Sequence, residues 1–137
     1  MKRLVLLTYT PRELDEDAYA AFIREIDYPN FRQCPWIVDY SCWRNVESIQ
    51  GKELFTHFDL MEVRDFADWP NIVAWPSVKE NIERWTRDWS QHGSDHPRPE
   101  DNLKITFCER YWGRGQRSGG APYSSWRFHH WYGGVCG

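Results

Sequence analysis

The sequence has no stretch of 18 consecutive apolar residues, which excludes a transmembrane helix of ordinary length. Its N-terminal apolar run, Leu4 to Leu7, is four residues long and no small-residue cleavage site follows it. The run therefore reads as a first strand and not as a signal peptide. There is no CxxC pair among Cys34, Cys42, Cys108 and Cys136. Free thiols in a reducing cytosol, and hence a cytoplasmic location, are the expectation. Positive charge is not in excess: 17 Lys and Arg face 20 Asp and Glu, a net charge of -3. That balance speaks against a nucleic-acid partner. No P-loop, dinucleotide fingerprint or serine nucleophile elbow is present. Acidic residues are missing altogether from residue 114 onward, so residues 1–113 carry 14 basic and 20 acidic side chains, a net of -6.

What the chain has in quantity is aromatic residues, 17% of 137, including nine tryptophans. That composition belongs to a packed core and not to a disordered chain. The length suits one domain. Residues 2–10 read as a strand. Thr10, Pro11, Arg12 and Glu13 form a capping-box pattern that opens a helix to about residue 27, closed by Tyr28, Pro29 and Asn30. Strands follow at about 36–46 and 54–63, then a helical turn over 64–70. A second capping box, Ser77 to Glu80, opens a helix with Val78, Ile82, Trp85 and Trp89 on one stripe. A loop over 94–102 leads to a last strand from 103 to about 112. The order β-α-β-β-α-β is the ferredoxin-like arrangement, an α+β fold. The expected domain is 1–113, and 114–137 reads as a flexible, aromatic-rich tail.

Alternation divides each strand between two faces. Leu103, Ile105 and Phe107 are expected under the helices, together with Leu54, Thr56, Phe58 and Leu60. The opposite face then carries Phe55, His57, Asp59 and Met61, with Asp39 and Trp43 beside them. A face that mixes ionisable groups with aromatics suits a cavity closed by a second copy of the sheet.

The element order resembles the dimeric α+β barrel superfamily. The strand over 54–63, with Phe55, Thr56, His57, Glu62 and Val63, resembles the Y-T-H-x-x-E-V strand of its stress-responsive, olivetolic acid cyclase-like branch. The resemblance implies a homodimer of two protomers packed sheet against sheet, and a cavity-facing His57. It does not carry over the cyclase base. In the matching segment Trp75, Pro76, Ser77 and Val78, Val78 stands where the base would be, and Ile72 stands near the tyrosine position.

Two positions apart on one strand, His57 and Asp59 form an acid–base candidate, with the carboxylate expected to raise the imidazole pKa. Tyr9 is the expected proton donor, Arg110 the anion clamp, and Asp39 a second carboxylate. Trp43, Phe55 and Trp112 are expected to line a site for a flat aromatic substrate. His92 and His96 sit in a loop with no third ligand nearby, and neither a metal nor a cofactor is expected. The leading reading is a cofactor-independent lyase, isomerase or cyclase acting on an aromatic or polyketide-like small molecule, with no nucleic-acid or membrane partner. The alternatives are a cofactorless or haem oxygenase of the same fold and a ligand-binding, stress-response dimer. A polar interface with satisfied hydrogen bonds would also explain the ionisable face.

Overall fold

A computed structural model describes residues 2–12 and 15–114. Strands β1 (Arg3–Tyr9), β2 (Ile37–Arg44), β3 (His57–Val63) and β4 (Lys104–Glu109) pair in the order β2-β3-β1-β4. All three pairings are antiparallel. This is the expected ferredoxin-like α+β order, with β1 and β3 central. Of the tail expected over 114–137, all but residue 114 lies outside the described residues.

One sheet face is covered by helices: α1 (Glu16–Phe22), α2 (Tyr28–Arg32), α3 (Trp69–Ala74) and α4 (Pro76–Asp88). Val5, Leu7, Met61, Val63, Ile72 and Val78 form the main core under them. The β3 face against the helices is His57, Asp59, Met61 and Val63. This reverses the expectation, which put Thr56, Phe58 and Leu60 there. The reason lies in the register. β3 meets β1 with Met61 opposite Val5, Asp59 opposite Leu7 and His57 opposite Tyr9, so the apolar face of β1 takes Asp59 inward with it. On β4 the expected side holds: Phe107 stacks on Phe66 at 4.6 Å. On β2 an irregularity between Ile37 and Asp39 brings Ile37 onto the side of Tyr40 and Cys42. A bulge of this kind shifts the alternation by one residue, which period-2 counting cannot anticipate.

The helices also depart from the expected limits. Asp15 caps α1, its side chain accepting from the Asp17 N–H at 2.9 Å. Pro29 does not end the helix. A π-helical turn, Ile23–Asp27, precedes it, and the Tyr28 N–H reaches the Ile23 carbonyl five residues back. The wider turn changes which carbonyl faces the proline ring, so α2 continues past it. It also turns Asp27 inward, to 3% exposure. Ser77 does not cap α4. Pro76 takes the first turn, and the Ser77 hydroxyl donates to the Asn30 carbonyl at 2.8 Å, tying α4 to α2.

Candidate functional site

Where the helices meet the β1–β3 pair, the buried side chains are polar. Asp59, 5% exposed, is held from both sides: the Tyr9 hydroxyl donates to its Oδ1 at 2.7 Å, and the Tyr40 hydroxyl lies 2.7 Å from its Oδ2. Tyr40 also lies 2.8 Å from Asp27 Oδ2. Asn81 of α4 donates from Nδ2 to Asp27 Oδ1 at 2.7 Å. The chain Asn81–Asp27–Tyr40–Asp59–Tyr9 thus crosses from α4 through the π-helical turn to all three strands β2, β3 and β1. At its far end Tyr9 Oη contacts Cys42 Sγ at 3.4 Å.

Burial dominates the electrostatics. It raises the Asp59 pKa, while hydrogen bonds with Tyr40, Cys42 and Tyr9 pull the other way. It raises Asp27, helped by the nearby Asp59 charge, to about 7. It pushes the Cys42 thiol up, aided by Asp59, so a thiolate nucleophile is not favoured there. Tyr9, Tyr19 and Tyr40 are all raised by burial first. They are hydroxyl donors, not phenolates.

His57 and Asp59 share the face as expected, but they do not pair. Both carboxylate oxygens are taken by tyrosines. His57 Nδ1 instead meets Thr56 Oγ1 at 2.7 Å, and Nε2 lies 4.0 Å from Glu16 Oε2. With Nε2–H turned to Glu16, Nδ1 is left to accept from the threonine. The ring stacks on Tyr9 at 5.9 Å and meets the edge of Tyr19 at 5.3 Å. Desolvation lowers its pKa, against the expected rise; Glu16 opposes this and Arg44 adds to it. Trp85 Nε1 donates to the Tyr19 hydroxyl at 3.0 Å and its ring packs edge-on against Tyr9 at 5.2 Å, so the aromatic stripe of α4 supports the site. A haem does not fit these residues, because His57, the imidazole on this face, is 7% exposed and lodged between two tyrosines.

The expected binding residues separate. Phe55 lies with the site: together with Tyr9, Thr10, Leu54, Asn102 and Lys104 it lines an open cleft of about 400 Å³. Asn45 pins this stretch by donating to the Phe55 carbonyl at 2.6 Å, and Asn102 pins the opposite rim by donating to the Gly93 carbonyl at 3.0 Å. Asp39 does not join. It is exposed on the other sheet face and pairs with Arg32 at 3.8 Å. Trp43 is on that face too, stacked on Phe58 at 6.0 Å, and so cannot line the helix-side site. Arg110 follows β4 beside Lys2, at the end of the sheet away from Tyr9 and His57. Six strand residues, roughly 20 Å, separate it from them, so neither it nor Trp112 can clamp a ligand at Tyr9. Ile72 and Val78, the positions where the cyclase tyrosine and base would stand, are fully buried core. Sequence reasoning missed Asp27, Tyr40 and Asn81. Tyr40 was visible as a tyrosine in register with Cys42. Asp27 was hidden by the π-helical turn.

Sequence comparison with curated proteins finds no match. The chain is similar in structure to HapK from Hahella chejuensis, at 13% identity and TM-score 0.60, over 85% of this chain and 99% of that one. It is similar to a dimeric ferredoxin-like protein of unknown function from a Jannaschia species, at 13% identity and TM-score 0.60, over 80% of this chain and 99% of that one. It is also similar to SnoaB, a cofactor-independent oxygenase from Streptomyces nogalater, at 9% identity and TM-score 0.57, over 84% and 98%. The fold is therefore the ferredoxin-like one that these structures share. Residues 2–92 match the family model described as REDY-like protein HapK, and the chain belongs to that family.

Proposed function

We propose that the protein is a cofactor-independent enzyme that moves a proton on an enolisable aromatic or polyketide-like small molecule, in a lyase, isomerase or cyclase step. One observation carries this reading: a buried carboxylate, Asp59, accepts from Tyr9, and Tyr9 lines a cleft of about 400 Å³. That volume suits a ligand of one or two rings. As base, Asp59 acts through Tyr9: the tyrosine oxygen takes the substrate proton while its own proton passes to Asp59. As acid, the same path runs backward. His57 and Trp85 hold the Tyr9 ring and exclude water from it.

The proposed assembly is a homodimer formed through the uncovered sheet face. Trp43 and Val38 are 52% and 41% exposed on the outer part of the sheet, and Leu6 and Leu60 lie between the central strands on its uncovered side. The dimeric Jannaschia protein of the same fold supports this assembly.

Deuterium uptake at the carbon next to a ketone tests the chemistry without the physiological substrate. Aryl β-diketones are incubated in D2O and followed by proton NMR. Exchange catalysed by the protein and reduced roughly 100-fold in Tyr9→Phe is expected. Exchange equal to the buffer blank across the panel overturns the reading. A cofactorless oxygenase is the second reading, favoured by the fold shared with SnoaB. It predicts oxygen uptake with the same compounds.

A further inference from the structure

The position of the Tyr40 hydroxyl sets a proton count. It lies 2.8 Å from Asp27 Oδ2 and 2.7 Å from Asp59 Oδ2. A hydroxyl carries one proton and can donate to one of them only. The other short contact needs a proton on the carboxyl group. Asp59 Oδ1 already accepts from Tyr9, and Asp27 Oδ1 accepts from Asn81, so the extra proton sits on one of the two Oδ2 atoms that face Tyr40. Cys42 adds a further hydrogen bond that favours an ionised Asp59, so in the resting form Asp27 donates from Oδ2 to Tyr40 and Tyr40 donates to Asp59. Two ionised carboxylates would leave one Tyr40 contact without a proton, in a site closed to water.

We propose that Asp27 and Asp59 hold one proton between them, exchanged through Tyr40, and that this half-filled store lets the Tyr9 site both remove a proton from its substrate and return one. The proposal rests on the acid–base reading above and extends it to reactions with abstraction and return, such as tautomerisation or isomerisation of an enolisable aryl ketone. The step balances. The Asp27 proton moves to the Tyr40 oxygen as the Tyr40 proton moves to Asp59 Oδ2; a half-turn of the Asp59 carboxyl group then brings that proton to the Tyr9 oxygen as the Tyr9 proton leaves for the ligand. No electron changes hands. Asp27 touches no ligand and is a positioning residue.

The surroundings agree. The groups facing the pair are Tyr9 from β1, Tyr40 and Cys42 from β2, Tyr19 from α1 and Asn81 from α4. None is a cation, and among the described residues neither aspartate has an ion pair. Burial raises both carboxyl groups, and each disfavours ionisation of the other. The π-helical turn that turns Asp27 inward is a feature often found at functional sites.

Carbon-13 NMR of the aspartate carboxyl groups between pH 4 and 9 tests this on the full chain without any substrate. The pair is expected to hold one proton at pH 6, spread over two coupled resonances. Asp27→Asn keeps the volume and donates to Tyr40 as the protonated acid does, so the fold is preserved. In that variant the Asp59 carboxyl is expected to be ionised at pH 6, with a midpoint at least about one unit below that of the wild-type pair. Tyr40→Phe is expected to uncouple the two resonances. Two ionised carboxyl groups at pH 6 in the wild type overturn the proposal, and so does an Asp59 titration unchanged by Asp27→Asn. Absent deuterium exchange beside an intact one-proton pair would sink the catalytic reading and leave the store standing.

Discussion

Asn81 donates to Asp27 at 2.7 Å, and through this bond the longest helix, α4, grips the π-helical turn. Both side chains are buried, at 1% and 3% exposure. Among the described residues the Asn81 Oδ1 has no partner, so the amide is held from its nitrogen side alone. This bond favours an ionised Asp27, so it is burial and the Asp59 charge that hold a proton there.

The pH dependence follows in sign. The folded pKa of Asp27 is about 7, above the unfolded value of 3.8. The folded state therefore binds more protons than the unfolded one between these values. This contribution is full below pH 4 and is lost as pH rises through about 7. His57 slopes the other way, since its folded pKa is lowered and acid charges the unfolded imidazole first. The comparison with Asp27→Asn cancels the His57 slope and leaves that of the aspartate pair. From pH 5 to 8 the wild type should lose roughly 2–3 kcal/mol relative to the variant. Urea melts at four pH values check this, and parallel profiles would refute it.

Much of the fold was legible because strand order depends on coarse features: four apolar alternating runs and two amphipathic stretches. Individual faces were not. The choice between His57 with Asp59 and Phe58 with Leu60 was made on hydropathy, which favours the second pair. Pairing decided for the first, since Tyr9 and Tyr40 supply hydroxyls that make a buried Asp59 tolerable. That compensation comes from β1 and β2, far away in sequence. Asp39, Trp43, Arg110 and Trp112 were grouped with His57 by residue type, and register sets them on the other face or at the other end of the sheet from it. Tyr9 lies opposite His57 and on the face of Asp59, as the regular alternation of β1 implied.

Tyr9→Phe should separate stability from chemistry. The variant leaves Asp59 Oδ1 without its donor, which costs about 1–3 kcal/mol. Its cleft keeps its shape, because the ring still packs against His57 and Trp85. Turnover should fall roughly 100-fold while ligand affinity changes less than about threefold. His57→Gln should fall less than tenfold, since Nδ1 is already engaged by Thr56. A larger loss in the histidine variant would restore His57 as the reacting group.

The assembly prediction rests on the uncovered face. Leu60 lies there, opposite Leu6, with Phe58 and Trp43 alongside. A contiguous apolar patch of this kind is unfavourable in water. Sedimentation velocity should show a dimer, and Leu60→Glu should give a folded monomer. A wild-type monomer at micromolar concentration would remove the dimer from the proposal.

Val78 separates the Tyr9 site from the start of α4, where the resemblance to the cyclase branch would place a base. Val78 has no exposed surface and packs in the core with Val5, Leu7, Met61 and Ile72. If the chemistry lies with Tyr9 and Asp59, Val78 is a packing residue. Val78→Ala removes two methyl groups and leaves a small cavity, at a cost of about 2 kcal/mol. Val78→His, which puts an imidazole where a base would stand, forces a larger polar ring into a dry core. Overpacking and an unpaired polar group together should cost roughly 2–5 kcal/mol. Thermal melts should rank wild type above Val78→Ala and Val78→Ala above Val78→His. Deuterium exchange by Val78→Ala, measured below its melting temperature, should stay within about threefold of wild type. A gain of exchange in Val78→His, or a loss beyond tenfold in Val78→Ala, would shift the reacting centre from the β1–β3 pair to the start of α4.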